Sequence, residues 1–295
     1  MSKYFSAGLV LLYVIVTISC FLLVLVLSGV RISDTAGWLI MTGWVVFCFC
    51  SAYFFTGVYF FFGFRLRKPM VAEAEKLEPA FREVAERAGL KKTVKLRIDE
   101  SKEWNAFAVG TRTIVVSKKM LADLTEEELK GTLAHELGHL VSLDTIVIAA
   151  YVEAGRLPRM MGYVFRMIVS AIGLSLSFGL AGILVFGVVL YFLHLLQAII
   201  AIVLFVILFV LLNRIFHFFS LLLMRLTEYR QDAFAQKLGY GKGLRDTLEK
   251  ITNKGEQYVN PYFIVFKSTH PIIYNRIRRL EKMEELGRDL ATGVH

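Results

Sequence analysis

Charge is missing from three long segments of this 295-residue sequence, residues 4–30, 35–64 and 167–213. A helix needs roughly 20 apolar residues to cross a bilayer, so the first two segments suffice for one crossing each and the third for two. A hydrophobic fraction of 56% and a mean hydropathy of +0.57 also exclude an ordinary soluble domain. We therefore expect an integral membrane protein with four transmembrane helices.

Cysteine and proline are scarce. The three cysteines, Cys20, Cys48 and Cys50, all lie in apolar runs and not at the spacing of metal ligands, which argues against a disulfide framework and against a cysteine metal site. None of the five prolines lies between residues 125 and 151. A long helix can therefore occupy that stretch without interruption.

Basic residues outnumber acidic ones, and the net charge is +9. Arg65, Arg67 and Lys68 follow the second apolar segment, which places that end in the cytoplasm by the positive-inside rule. No patch of Arg and Lys interleaved with aromatics occurs outside the juxtamembrane stretches, so the sequence favours the lipid bilayer as a partner and disfavours nucleic acid. A cleavable signal peptide is the alternative for the first segment, but its apolar run is too long and lacks a clear cleavage site.

His135, Glu136 and His139 form a His-Glu-x-x-His motif. Thr125 and Glu128 form a capping box ahead of it, so we expect the motif on a helix. Residues four apart lie one above the other, and both imidazoles can then bind one metal ion, for which zinc is suited. Glu136 lies beside the metal, where its carboxylate can take a proton from the attacking water. A solvated helix face is the alternative, and the uncharged neighbours argue against it.

A catalytic zinc site takes three protein ligands, so a third must lie elsewhere. Glu228 and Asp232 are one turn apart on a predicted helix that ends at Leu238, with Gly239 as its C-terminal cap. Glu228 can supply a carboxylate, and Asp232 can accept a hydrogen bond from a ligand histidine. Alone, this pair reads as an ordinary solvated face. With His135 and His139 already in place, we interpret it as the rest of the site.

The stretch from Pro69 to Gly89 is amphipathic, with Val71, Leu77, Phe81, Val84 and Ala88 near helical spacing. We therefore expect a helix there, with Gly89 as its stop.

A small sheet is predicted just before the motif. Residues 94–98 alternate like a half-buried strand, and a hairpin follows that returns over residues 113–116. Its first strand contains Asn105, Ala106, Phe107 and Ala108. If this strand is exposed, a substrate peptide can pair with its backbone. On these residues alone, a strand that only packs the domain is an equally good interpretation.

Near the C-terminus, Pro271 predicts the first turn of an amphipathic helix that carries Arg276. His270 could donate to the oxyanion of a tetrahedral intermediate, and Arg276 could act as a second cation or anchor the site. From spacing alone, a solvated helix start is the simpler interpretation. Arg214 and His217 lie near the end of the fourth predicted membrane helix, where snorkelling accounts for them better than metal binding.

These motifs together resemble the HtpX-like membrane zinc metallopeptidases, relatives of the CAAX prenyl protease. The order of the motifs and the two pairs of predicted membrane helices match, so the resemblance covers nearly the whole chain. It departs at Gln231, where the family usually has alanine before the aspartate. The matching residues are Asn105 to Ala108, His135 to His139, Glu228 and Tyr229 with Asp232, and Ser268 to Pro271 with Arg276 and Ile277.

The resemblance implies a gluzincin that binds one Zn²⁺ per chain. It implies that His135, His139 and Glu228 bind the metal, that Asp232 orients a histidine, most simply His135, and that Glu136 is the general base and then the general acid. The implied fold is an integral membrane protein, mainly α-helical with a small β-sheet, in which four transmembrane helices carry a zincin-type α+β protease domain.

The same resemblance favours His270 as a transition-state donor, alongside Arg276, and residues 105–108 as a substrate-binding strand. It implies cleavage of damaged or misassembled membrane proteins at the cytoplasmic face, in membrane protein quality control, with any regulatory membrane partner unidentified. A prenyl-protein protease is the alternative enzyme. A non-catalytic zinc scaffold is the alternative outside enzymes, although a structural site needs no base at Glu136. A transporter is disfavoured, because no helix carries paired ionisable groups near its middle.

We expect a multi-pass protein of the plasma membrane whose protease domain and both termini are cytoplasmic. The predicted parts are a transmembrane hairpin over 1–64 with helices at about 5–28 and 38–63, a zincin subdomain over 65–159, a second transmembrane pair over 160–219, and a helical subdomain with the third ligand over 220–295.

Overall fold

The computed structural model describes residues 33–63, 66–142, 224–253 and 271–292, with scattered helical positions at 8–22, 146–150 and 196–222. The chain divides into two compact units. One unit comprises Met1–Ser51 with Ala150–His217, and the other comprises Ala52–Ala149 with Phe218–His295. The second unit contains every candidate site residue that the structure describes.

Helix α1, Asp34–Gly63, coincides with the second predicted membrane helix. Its portion Asp34–Ser51 is long and apolar enough to cross a bilayer, and large side chains such as Trp38 and Leu39 are exposed on it. Within the described stretches it is the one helix that meets this description. The other three predicted crossings lie mainly outside those stretches, so four transmembrane helices stay a prediction.

Two thiols of the first unit are described. Cys48 is buried and Cys50 is exposed, and both lie on α1 without forming a disulfide. Cys20 lies outside the described residues. Neither described cysteine is therefore part of a cross-link, in line with the apolar runs in which they occur.

Helix α2, Val71–Arg87, opens the soluble part of the second unit. Leu77, Ala80 and Val84 form its buried face at the spacing of an amphipathic helix. The predicted helix over this stretch is confirmed. It ends where predicted, because Gly89 adopts a φ of 62°, a left-handed conformation that stops helices.

A four-stranded sheet follows, in the order β1-β2-β4-β3. Strand β2 is parallel to β4, and the other neighbours are antiparallel. The predicted strand and hairpin are thus confirmed, whereas β1 was not predicted, because two residues carry no detectable alternation. The strands are β1 Leu66–Arg67, β2 Lys95–Asp99, β3 Ala106–Val109 and β4 Thr113–Ser117.

A short helix α3, Lys118–Asp123, leads into α4, Glu126–Ser142, which carries the His-Glu-x-x-His motif. The predicted capping box is present, since the Thr125 N–H donates to Glu128 Oε2 at 2.7 Å and the Glu128 N–H donates to Thr125 Oγ1 at 3.4 Å. Helix α4 is the centre of the core, and its apolar side chains pack with α2, the sheet and the later helices.

Three further helices cover α4. They are α5 over residues 224–237, α6 Gly241–Asn253 and α7 Ile273–Thr292. Helix α5 ends as predicted, because Gly239 has a φ of 86° and the Tyr240 N–H donates back to the Ala235 carbonyl at 3.0 Å. Helices α5 and α7 bring Glu228, Asp232 and Arg276 to the motif.

Candidate metal centre

The His-Glu-x-x-His motif lies in the protein interior. Every residue of α4 from Glu128 to Leu140 is buried, and His135, Glu136 and His139 expose only 5%, 7% and 9% of their surface. A buried polar group is costly unless it is paired, so these side chains need partners inside the protein. The interpretation of the motif as a solvated helix face is therefore wrong.

One helical turn separates the two histidines. The ring centroids of His135 and His139 are 5.0 Å apart, and the rings are edge to face at 82°. Glu228 approaches from α5, with Oε2 3.5 Å from His135 Nε2 and Oε1 3.5 Å from His139 Nε2. All three side chains are buried, and one candidate ligand atom from each lies within 4.8 Å of the other two. The three residues thus converge on one point.

This convergence fits a zinc ion. Two ligand atoms about 2.0–2.2 Å from one tetrahedral ion are roughly 3.4 Å apart, which is close to the 3.5 Å separations between Glu228 and the two imidazoles. Two neutral nitrogens and one carboxylate are also the donor types of a catalytic zinc site that keeps an open position. The residues His135, His139 and Glu228 can therefore hold the metal that the sequence predicts.

Asp232 lies one turn beyond Glu228 and is 1% exposed. Its Oδ1 is 3.0 Å from His135 Nδ1, so a proton on Nδ1 leaves Nε2 as the free nitrogen on the Glu228 side. Burial raises the pKa of Asp232, but its contacts with His135 and Arg276 lower that pKa by more, and the group is anionic. Burial lowers the pKa of His135, and hydrogen bonds with Asp232 and Glu228 raise it above its ordinary value.

Arg276 of α7 joins the same network. Its Nε and Nη2 donate to Asp232 Oδ2 and Oδ1 at 2.9 and 2.6 Å, a bidentate pair, and its Nη1 lies 3.1 Å from Glu228 Oε2. Burial lowers the pKa of Arg276, but Asp232, Glu228 and Glu136 raise it by more, so the guanidinium stays charged. One cation thus neutralises carboxylates that would otherwise repel each other in the interior.

Gln231 contacts α4 on the other side of this network. It is 2% exposed, and its Nε2 donates to Ser142 Oγ at 3.0 Å. Its Oε1 fills space that a Cβ on Gly138 would occupy, because such an atom would lie 2.4 Å away. The sequence showed Gln231 only as a departure from the family pattern, and neither Ser142 nor Gly138 was predicted to contact it. No periodic or motif signal connects residues so far apart in the chain.

The remaining predicted site residues are Glu136, His270 and the substrate strand. Glu136 is buried on α4 beside the first histidine, near enough to Arg276 for its charge to raise that pKa. His270 lies outside the described residues. The predicted substrate strand overlaps β3, which is at an edge of the described sheet. Asn105, just before β3, is joined to β4 because its carbonyl accepts from the Ser117 N–H at 2.8 Å.

That bond determines which way the backbone of β3 faces. Pairs alternate along an antiparallel ladder, so Asn105 and Phe107 bond with β4, whereas the N–H and C=O groups of Ala106 and Ala108 point to the outer edge. The side chains of Ala106 and Ala108 pack against the core. A second chain can therefore pair with the outer edge without displacing core side chains.

Comparison with known proteins finds similarity over most of the chain. The model of Peptidase family M48 matches residues 71–284. A "Protease HtpX homolog" of Halobacterium salinarum is 33% identical over 160 residues, which are 52% of this chain and 46% of that protein. A "CAAX prenyl protease 1 homolog" of Arabidopsis thaliana is 27% identical over 195 residues, 60% of this chain and 40% of that protein.

The fold is also similar to that of a solved structure. The crystal structure of S. mikatae Ste24p superposes with a TM-score of 0.54 at 21% identity, over 82% of this chain and 57% of that one. At this identity the likeness concerns the fold alone. The chain spans less than half the length of either curated relative and little more than half of the solved structure.

Proposed function

The chain belongs to peptidase family M48, and from this premise we propose that it is a membrane-anchored zinc endopeptidase. The observation that carries the proposal is the buried convergence of His135, His139 and Glu228, with Glu136 next to it on the same helix. The proposed substrates are membrane or misfolded proteins, cleaved at the cytoplasmic face. The proposed location is the plasma membrane, with the four parts of the chain bounded as the sequence predicts.

In this proposal His135, His139 and Glu228 hold the zinc. A bound zinc ion supplies a Lewis acid that polarises the scissile carbonyl and lowers the pKa of water. Asp232 keeps the proton of His135 on Nδ1, so Nε2 is available as a ligand. Arg276 holds Asp232 and Glu228 in place through three contacts of 2.6 to 3.1 Å, which favours its anchoring role over a direct contact with substrate.

Glu136 carries the proton chemistry. As the residue after His135 it is beside the ligand set and not part of it, so its carboxylate can accept a proton from the attacking water. It then returns that proton to the leaving amine, which makes the same group base and acid in turn. His270 is proposed as the donor to the oxyanion, on the strength of the family resemblance.

The substrate backbone is proposed to pair with β3. The outer-edge groups of Ala106 and Ala108 offer hydrogen bonds that do not depend on substrate sequence. Such pairing suits an enzyme that accepts varied unfolded segments. Helix α1 favours substrates that are themselves in the membrane, because it can hold the enzyme in the same bilayer.

Substitution of the base tests the proposal. Purified wild type, Glu136→Gln and Glu127→Gln are compared for zinc content and for cleavage of an unfolded membrane protein, with and without a chelator. Glu127 is the matched control, because it lies on the same helix with 72% of its side chain exposed. We expect one zinc in each protein, with cleavage lost about 10²–10⁴-fold in Glu136→Gln alone. Equal cleavage by Glu136→Gln and wild type would refute the mechanism.

Two other functions give different results in the same assays. The similarity to the Arabidopsis protein favours a prenyl-protein protease as the second candidate. A short farnesylated C-terminal peptide cut in preference to its unmodified form would establish that candidate. A non-catalytic zinc scaffold predicts zinc in the wild type and cleavage of neither substrate. Absence of zinc from the wild type would refute both enzymes.

A further inference from the structure

Gln231 occupies a particular place on α5, between the candidate ligand Glu228 and the carboxylate Asp232. Its Nε2 donates to Ser142 Oγ at 3.0 Å, and that hydroxyl donates to the Gly138 carbonyl at 2.8 Å. A chain of two hydrogen bonds therefore connects the middle of α5 to the last turn of α4. Gly138 directly precedes His139, so this chain ends beside a candidate ligand.

Packing reinforces the connection. A Cβ at Gly138 would lie 2.4 Å from Gln231 Oε1 and 3.1 Å from Phe234 Cδ1, so glycine is what allows α5 this close to α4. Gln231 is 2% exposed and fills that space. The amide is thus fixed by a hydrogen bond on its nitrogen and by close packing around its oxygen, which leaves it little rotational freedom.

The contacts that Asp232 and Glu228 of α5 make with the candidate ligand histidines of α4 are between ionisable groups. Asp232 meets His135, and Glu228 meets His135 and His139. These contacts change when a divalent ion binds the carboxylate and the imidazoles. The contact of Gln231 with Ser142, by contrast, is neutral and includes no candidate ligand. The strength of the contact between Gln231 and Ser142 therefore does not depend directly on the metal.

We propose that Gln231 is a positioning residue that sets the spacing between α5 and the last turn of α4, so that Glu228 is held opposite His139 before metal binds. This inference rests on the proposed zinc site and adds to it a residue that touches neither metal nor substrate. Residues that orient metal ligands typically change metal affinity 10–100-fold when they are replaced. Because Gln231 acts on ligand spacing through packing, we expect Gln231→Ala to raise the zinc Kd about tenfold.

A purely structural role predicts a different result, and a control variant separates the two. Thr247 is also buried, at 1% exposure, and its hydroxyl donates to the Glu128 carbonyl of α4 at 3.2 Å. That contact is in the first turn of α4, away from the candidate ligands. Thr247→Val keeps the side-chain shape and removes the hydroxyl, so it removes a hydrogen bond to α4 without altering the spacing at His139.

The experiment uses the full-length protein in detergent micelles, stripped of metal. Zinc is titrated against a competing fluorescent chelator, and Tm is measured without and with saturating zinc. For Gln231→Ala we expect the raised Kd and a smaller zinc-induced increase in Tm than in the wild type. For Thr247→Val we expect a lower Tm both without and with zinc, while the zinc Kd and the zinc-induced increase in Tm stay as in the wild type.

A further variant guards against misfolding. Gln231→Met retains most of the side-chain volume and loses the amide, so it should fold more readily than Gln231→Ala. Its zinc Kd should rise as well, but by less than that of Gln231→Ala. An unchanged Kd in Gln231→Ala and Gln231→Met would overturn the proposal, as would an equal rise in Thr247→Val. A wild type that binds no zinc would overturn the proposed function itself, and this inference with it.

Discussion

Replacement of Gly131 by alanine tests the close approach of α4 and α6. A Cβ at Gly131 would lie 2.2 Å from the backbone nitrogen of Leu244 and 2.6 Å from the carbonyl carbon of Gly243. The opposite face is equally tight, because a Cβ at Gly243 would lie 2.1 Å from the Glu127 carbonyl oxygen. The obstacles are backbone atoms, so no change of rotamer can relieve the overlap.

The cost of Gly131→Ala follows from the movement that it forces. Ordinary Cβ contacts begin near 3.4 Å, so α6 must retreat by roughly 1 Å, and overpacking of this kind costs about 1–3 kcal/mol. The retreat also lengthens the hydrogen bond from Thr247 Oγ1 to the Glu128 carbonyl, now 3.2 Å, which is worth about 1 kcal/mol. Alanine offsets about 1 kcal/mol of this loss, because it is a better helix former than glycine. We expect a net loss of about 1–3 kcal/mol in the free energy of unfolding.

Urea unfolding of the metal-free protein in micelles, followed by tryptophan fluorescence, measures this loss. The matched control is Gly138→Ala in the Gln231→Ala background, the same change on the same helix after the clashing side chain has been removed. There the side chain of Phe234, with Cδ1 at 3.1 Å, must shift by a few tenths of an ångström, so we expect a loss below about 1 kcal/mol relative to Gln231→Ala. Gly131→Ala as stable as the wild type would show that α4 and α6 are further apart than described.

Two further perturbations act on ion pairs of the same unit. Arg276→Met should lower the free energy of unfolding of the metal-free protein by about 3–5 kcal/mol, because it leaves Asp232 buried without its cation. Arg276→Lys should restore little of the loss, since lysine cannot form a bidentate pair with a carboxylate. Wild-type stability of Arg276→Met in urea would contradict the network. The hydrogen bond with Arg67 lowers the pKa of Glu73 to about 2, from 4.5, so this pair stabilises the fold above about pH 4.5 and its contribution disappears as the pH falls toward 2. Arg67→Met should therefore lower the free energy of unfolding at neutral pH by on the order of 1–2 kcal/mol after solvent screening. Its stability should also fall less steeply as the pH is lowered from 4.5 toward 2. A fall as steep as that of the wild type would exclude the pair as the cause of the acid sensitivity.

The elements that the sequence predicts well are those defined by local rules. The spacing of Leu77 and Val84, the alternation in β2 and β4, and the glycines that end α2 and α5 all act over a few residues, and the structure confirms those helices and strands. The two-residue strand β1 was missed, because it exists only through its pairing with β2. Such an element has no pattern of its own to detect.

The sequence by itself determined that His135 and His139 project from one turn of a capped helix, because any helix places residues four apart on one face. It also determined which residue types were available as a third ligand. Only the tertiary structure decided that α5 and α7 pack against α4 so that Arg276 forms ion pairs with Asp232 and Glu228. It also decided that Gln231 fills the space beside Gly138. The physical reason is that these contacts join segments far apart in the chain, whose approach depends on the packing of the whole core and leaves no periodic trace in any one segment.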